Sequence, residues 1–318
     1  MKEGLLRLRP APMRTEPVKD RVIDRFLRRR YRRVRPNREC QISIPRAPEV
    51  AIAIGSKEIL DQYLEALDLK PQRADFAFLR EIVQRHVARL AFCSVGPRLG
   101  DALPLDVASL HDRIVVRRRG GYCFEHNGLL YEMLEALGFE VTLYLARVIY
   151  NRDIQPGLTH RITLVHLDAE RYLVDVGFGP LGPDLPVGLS QASVARGGRV
   201  FRVAEPRAGE FHLQTLKDGA FFSLYRFELA SYGQADCELG HFYSHRHPAA
   251  VFVNNLVASR ILDGEIRSLR NREYWVITPT GEQRRTISDG AGLQRLLATQ
   301  FDIEISAEES LLLFQQEP

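Results

Sequence analysis

The segment Arg117-Arg118-Arg119-Gly120-Gly121-Tyr122-Cys123-Phe124-Glu125-His126-Asn127 constrains this chain more than any other. Three arginines and two glycines deliver a cysteine to the start of an amphipathic pattern. Leu129, Leu130, Met133, Leu134 and Leu137 recur at helical spacing, and Gly138 stands where a C-terminal cap belongs. Cys123 is therefore expected at or just before a helix N-terminus, where unpaired N–H groups and the positive end of the helix dipole favour a thiolate. A free cysteine titrates near pH ~8.5, and a helix start or nearby cations lower that value. The three arginines are expected to add to this field. Until a partner is found, a buried structural cysteine is the plain alternative.

The partners lie downstream. Residues 158–167 read as a strand led in by Pro156-Gly157, residues 171–179 contain a second strand, and Asp168-Ala169-Glu170 makes a tight connection. Asp175 is a carboxylate inside the apolar run Leu173-Val174-Asp175-Val176, and a buried acid needs a partner. His160 suits it: a carboxylate on one ring nitrogen fixes the tautomer and leaves the other to take a thiol proton. The geometry is not simple. In a straight hairpin centred on Ala169, Asp175 faces Thr163, three residues from His160, which at ~3.3 Å per residue is too far for a hydrogen bond. Either the chain bends at Thr159-His160 or the register differs.

The run Arg119 to Asn127, then a histidine, then Val174-Asp175-Val176-Gly177-Phe178-Gly179, strongly resembles the arylamine N-acetyltransferase family in both motifs and in their order. The resemblance extends from about Ser56 to the C-terminus. It implies an α+β fold with an N-terminal helical domain, a central antiparallel β-barrel domain, a C-terminal α/β lid and a cysteine-protease-like catalytic core. It implies Cys123, His160 and Asp175 as a triad that moves an acetyl group from acetyl-CoA to a small aromatic amine or hydrazine through an acyl-cysteine. Acetyl-CoA is then a co-substrate and no cofactor is permanently bound. Phe178, between Gly177 and Gly179, is expected to wall the acceptor pocket, and Arg119, Gly120 and Gly121 to support the nucleophile's loop. Ser244 and Arg246 stand in a segment that meets CoA in the family. Where the family reads Pro-Phe-Glu-Asn-Leu, this chain keeps Phe92 but carries Ala91, Cys93 and Ser94, which places a second thiol near the site. Two other readings keep the triad: a relative using another acyl carrier, such as an amide synthase or a longer-chain acyltransferase, and a cysteine hydrolase on the same fold.

Composition bounds the rest. The chain has 318 residues, 45% of them hydrophobic, enough for a full globular core. Cys40, Cys93, Cys123 and Cys237 are widely spaced, which argues against a disulfide scaffold or a zinc ribbon and for a reducing, cytoplasmic setting. Residues 1–40 carry a net charge of +9 against +4 for the whole chain. This basic leader, extending to residue 48, is expected to be disordered and dispensable. It alone leaves an anionic membrane or nucleic acid open as a partner.

The remaining segments are expected to divide into a helical domain at 49–139, a barrel at 140–234 and a lid at 235–318. Ser56 is expected to cap the first helix, and the last segment to mix one strand with helices. His245 and His247 would share one strand face there, but no third ligand accompanies them and no metal is expected. His126, three residues along the helix from Cys123, is the alternative base.

Overall fold

The computed structural model describes residues 55–190 and 192–316; the basic leader lies outside them. Helix α1, Ser56–Leu67, buries Ile59, Tyr63, Leu64 and Leu67, the stripe that its periodicity predicts. Its cap falls one residue earlier than expected: Gly55 takes the extended N-cap conformation and Ser56 is already helical. Helix α2, Phe76–Arg89, is capped by Asp75, whose carboxylate accepts from the Phe78 N–H. Two short helices follow, α3 at Val95–Leu99 and α4 at Val107–His111, the second running on as a π-helical turn over Asp112–Val116. Helix α5, Cys123–Ala136, is buried over its first turns. Leu129, Leu130 and Leu134 are fully enclosed with α1 and α2, each burial contributing about 1.5–3 kcal/mol.

Eight strands form one antiparallel sheet. They are β2 (Glu140–Val148), β3 (His160–Leu167), β4 (Glu170–Val174), β5 (Val187–Gly188), β6 (Val194–Arg196), β7 (Arg199–Arg207), β8 (Glu210–Lys217) and β9 (Ala220–Glu228). Their order is β5-β4-β3-β2-β9-β8-β7-β6, and β5 returns against β7, so the sheet curls into a nearly closed barrel. Phe201, Leu213, Leu224 and Tyr225 fill it with Leu164 and Leu173. The opposite face of β3 and β4 packs on the helices through Val165 and Val174.

The last segment departs from expectation. After α6, Gln234–Arg246, and the short α7, Val251–Asn254, four strands follow instead of one. They are β10 (Val257–Leu262), β11 (Glu265–Arg270), β12 (Glu273–Thr278) and β13 (Gly281–Thr286), and β10 pairs with β1 (Phe92–Cys93). His245 lies in the last turn of α6 and His247 just past it, so the two do not share a strand face. Helix α8, Gly290–Leu296, continues as a π turn to Phe301, and α9, Ala307–Gln315, is closed by a Ser306/Glu309 capping box. No described helix is long and apolar enough to cross a membrane.

Candidate active site

Cys123 is the first residue of α5 and is 2% exposed. Its loop is held from two sides. Gly120 has φ +63°, and a Cβ there would sit 2.7 Å from both the Ala91 carbonyl oxygen and Cys93 Sγ. Only glycine allows this turn at this closeness. Gly121 accepts a hydrogen bond from the Cys93 N–H, and Glu125 Oε2 accepts from the Tyr122 N–H at 3.1 Å, completing the helix cap.

The arginines do not act as expected. Arg117 pairs with Asp112 at 2.6 Å, and Arg118 with Asp302 and Glu304 at 2.8 and 3.0 Å. Arg119 grips Glu309 through two bonds of 2.7 Å each. Their charges are neutralised by carboxylates away from the thiol. Arg119 is the anchor of the loop, tied to α9. Burial pushes the Cys123 thiol up and the Asp175 charge adds to this, while backbone N–H groups of Arg161 and Phe124 offset part of it. Burial thus works against a thiolate held by the helix start alone.

The hairpin resolves the difficulty over the acid and its histidine. The turn is the two residues Asp168-Ala169, Asp168 taking a left-handed φ of +55°, and Leu167 pairs with Glu170. Thr163 therefore faces Val174, one step from the expected register. Extending that register sets Asp175 opposite Ile162, two residues from His160 and on the same face, a diagonal that side chains can span. His160 Nε2 lies 2.7 Å from Asp175 Oδ2. A carboxylate only accepts, so this nitrogen carries the hydrogen, and Nδ1 is left as the ring's other proton site. Burial opposes ionisation of Asp175, but His160, Asn127 Nδ2 at 2.8 Å and the Gly177 N–H at 2.9 Å outweigh it and hold the carboxyl below its usual range.

Asn127, one turn after Cys123, locks the two halves of the site together. Its amide also donates to the Arg161 carbonyl at 2.6 Å, and its oxygen accepts from the Val176 N–H at 2.9 Å. Gly177 completes the approach: a Cβ there would stand 2.7 Å from Cys123 Cα.

Cys123 and His160 open on one cavity of about 580 Å³, with Phe178 and Gly177 in its wall. The Phe178 ring meets the His160 ring edge-on at 5.2 Å. Gly179 lies just beyond, with φ +82°. Ser244 lines the same cavity while its hydroxyl donates to the Gly240 carbonyl at 2.7 Å. Arg246 is engaged elsewhere, donating to the Gly100 and Asp101 carbonyls at 3.0 and 2.9 Å. His126 turns away from the cavity: its Nε2 donates to the Ala91 carbonyl at 3.0 Å, its Nδ1 meets His86, and burial lowers its pKa to about 4. Cys93 lies behind Gly120, its thiol bonded to the Arg119 carbonyl at 3.2 Å and pushed up to about 12, chiefly by burial.

Two aromatic residues beside the site, Tyr150 in the cavity wall and Tyr225 behind it in the barrel core, are not marked by any local pattern. Tyr225 packs on His160 at 4.9 Å, and Tyr150, with a left-handed φ of +46°, faces Phe178 at 5.8 Å. Alternation over 221–227 is consistent with a strand but does not tell which residue Tyr225 meets. A further cleft of about 610 Å³ lies beside the Arg119 loop, but its arginines, Arg113, Arg117 and Arg119, are already paired with carboxylates.

A model of an N-acetyltransferase family matches residues 75–310. The arylamine N-acetyltransferase of Mycobacterium bovis is 33% identical over 236 residues, 72% of this chain and 83% of the relative. That of Escherichia coli is 31% identical over 231 residues, 71% and 82% of the two. Among solved structures, the Mycobacterium marinum arylamine N-acetyltransferase in complex with CoA superposes with a TM-score of 0.77 at 27% identity, covering 81% of this chain and 100% of that one. The Salmonella typhimurium enzyme gives 0.78, also at 27% identity, covering 81% and 98%. With a family match across most of its length and relatives aligned over more than two thirds of both chains, this chain belongs to the arylamine N-acetyltransferase family.

Proposed function

We propose that this acetyltransferase moves an acetyl group from acetyl-CoA to an arylamine or arylhydrazine through an acetyl-cysteine at Cys123, in two half-reactions. The observation that carries the reading is His160, held by Asp175 at 2.7 Å, sharing one cavity with Cys123. Burial works against a thiolate without a partner. The thiolate forms as His160 Nδ1 takes its proton, and Asp175 stabilises the imidazolium that results. The thiolate attacks the thioester carbonyl, the tetrahedral intermediate collapses, and CoA leaves as its thiol with the proton from His160. The acceptor nitrogen then attacks the acetyl-cysteine, gives a proton to His160, and the C–S bond breaks to release the amide. The proton returns to Cys123. In each half-reaction the Cys123 N–H, at the helix start, is a donor for the oxyanion.

Phe178, flanked by Gly177 and Gly179, forms the wall against which an aromatic acceptor stacks. Ser244 is placed to meet the CoA arm from the cavity wall. The grip of Arg246 on two carbonyls makes it a support of that wall before a phosphate contact. The relative bound to CoA supports the donor assignment.

Intact-protein mass spectrometry after mixing with acetyl-CoA tests the reading. One acetyl group is expected on the wild type, discharged by an added arylamine, and none on Cys123→Ala. An adduct that persists on Cys123→Ala refutes Cys123 as the nucleophile. Release of acetate at a rate that the amine does not change indicates a hydrolase.

A further inference from the structure

His160 opens on the acetyl-transfer cavity, and the next residue of β3, Arg161, lines a different one, of about 550 Å³. Successive strand residues point to opposite faces, so the two cavities lie on either side of one strand. The second is walled by Tyr131 and Glu132 of α5, Thr142 and Tyr144 of β2, and Ser231 and Tyr232 before α6. Arg161 is 3% exposed. Among the described residues its guanidinium forms no hydrogen bond and no ion pair, and its Nε is wholly enclosed. It lies over the face of the Tyr131 ring, 5.3 Å from the centroid, with Gly128 against one terminal nitrogen and the Cys237 thiol near enough to act on its charge. Arg113, the other arginine of the described residues buried to this degree, holds Glu125 at 3.3 Å and Asp101 at 3.5 Å.

A guanidinium does not discharge by losing its proton, so a buried one without a counter-ion is heavily penalised. Glu132 faces the same cavity but stays outside ion-pair distance. Burial pushes the Glu132 carboxyl up and the Arg161 guanidinium down; their mutual attraction, with Cys237 and Tyr131 beside the arginine, offsets this only in part.

We propose that this cavity is an anion site in which Arg161 takes a small oxyanion, a carboxylate or a phosphate, in its terminal N–H fork. The fork's planar geometry matches both groups. The phenols of Tyr131, Tyr144 and Tyr232 and the hydroxyls of Thr142 and Ser231 are the further donors that the walls offer. The bound ion sits behind the strand that carries His160 and does not enter the acetyl-transfer cavity. The site stands or falls independently of the acetyl-transfer chemistry.

The test is thermal unfolding of the full chain titrated with sodium phosphate or sodium acetate, against sodium chloride at matched ionic strength. An ion that binds the folded state alone raises Tm along a saturable curve. One of the two oxyanions is expected to do so where chloride does not, with the response lost in Arg161→Gln. A response to phosphate alone identifies a phosphate site, and a response to acetate a carboxylate site. No saturable response to either in the wild type overturns the proposal, as does a response that survives Arg161→Gln. Should that variant not fold, Glu132→Gln decides. Removing the carboxylate that faces the guanidinium tightens the anion several-fold if it rests on Arg161. An unchanged or weaker midpoint means that Glu132 balances Arg161 through water, and the proposal fails.

Discussion

Gly177→Ala isolates the fit between the two halves of the active site. The added Cβ would lie 2.7 Å from Cys123 Cα and 2.9 Å from Asn127 Nδ2. Carbon atoms rest at about 3.5–4.0 Å, so one element must yield by nearly 1 Å. The obstacle is backbone and a side chain already bonded to Asp175, so no flexible group can swing aside. Gly177 does not have a left-handed φ, so alanine brings no backbone strain and the effect is one of volume alone. Overpacking of this kind costs about 1–3 kcal/mol of stability. A 1 Å displacement of a nucleophile costs about 10²-fold in rate. Single-turnover acetylation of Cys123, read by mass spectrometry at early times, should slow by about that factor, and Tm should fall. Gly233→Ala, whose Cβ meets nothing within 4 Å, is the control for added volume and should leave the acetylation rate unchanged, with Tm lowered only by the poorer N-cap of α6. A Gly177→Ala protein that acetylates within threefold of the wild-type rate would show that the closeness of Gly177 to Cys123 does not set the position of the thiol.

Asp175→Asn should lower turnover by about 10⁴-fold, because an amide no longer holds the histidine in the right tautomer. The Asp175 carboxyl lies below its usual range, so it adds stability above pH ~4 that is lost as pH falls through its folded value. Acid titration of Tm should show a shallower loss in Asp175→Asn, and an unchanged acid limb would contradict the assignment. Glu125 has the opposite sign. Burial, opposed by Arg113, raises its carboxyl from 4.5 to about 7. The folded state binds the proton more tightly, so stability falls as pH rises through that window, by at most about 3 kcal/mol. Glu125→Gln should flatten the dependence of Tm on pH there, and a variant with the wild-type slope would remove Glu125 as its source.

The site was legible where local signals and chemistry coincide. Glycines at 120 and 121 ahead of a helical leucine pattern placed Cys123 at a helix start, and an acid inside an apolar strand called for His160. The register between them was misread by one because the turn is Asp168-Ala169 with a left-handed Asp168, and a single step of register moves a side chain to the other face. The arginine field was misread for a different reason. Asp302, Glu304 and Glu309 lie far along the chain, and no local pattern announces such pairings. The hairpins of the last segment did leave a signal in Asp263-Gly264, a favoured two-residue turn. Arg260, Arg267 and Arg270 broke up the apolar alternation that would have marked the strands.

The bond between Arg119 and Glu309 joins positions 190 residues apart, and the order of synthesis gives that separation a meaning in time. At about 5–20 residues per second, Glu309 leaves the ribosome roughly ten to forty seconds after Arg119. When Asp175 has emerged, every member of the proposed triad exists, yet the loop that presents Cys123 still lacks its anchor. The nascent chain thus carries a complete set of reactive groups before it carries an enzyme. Acetyl transfer should begin only when the last helix arrives to close on the first motif.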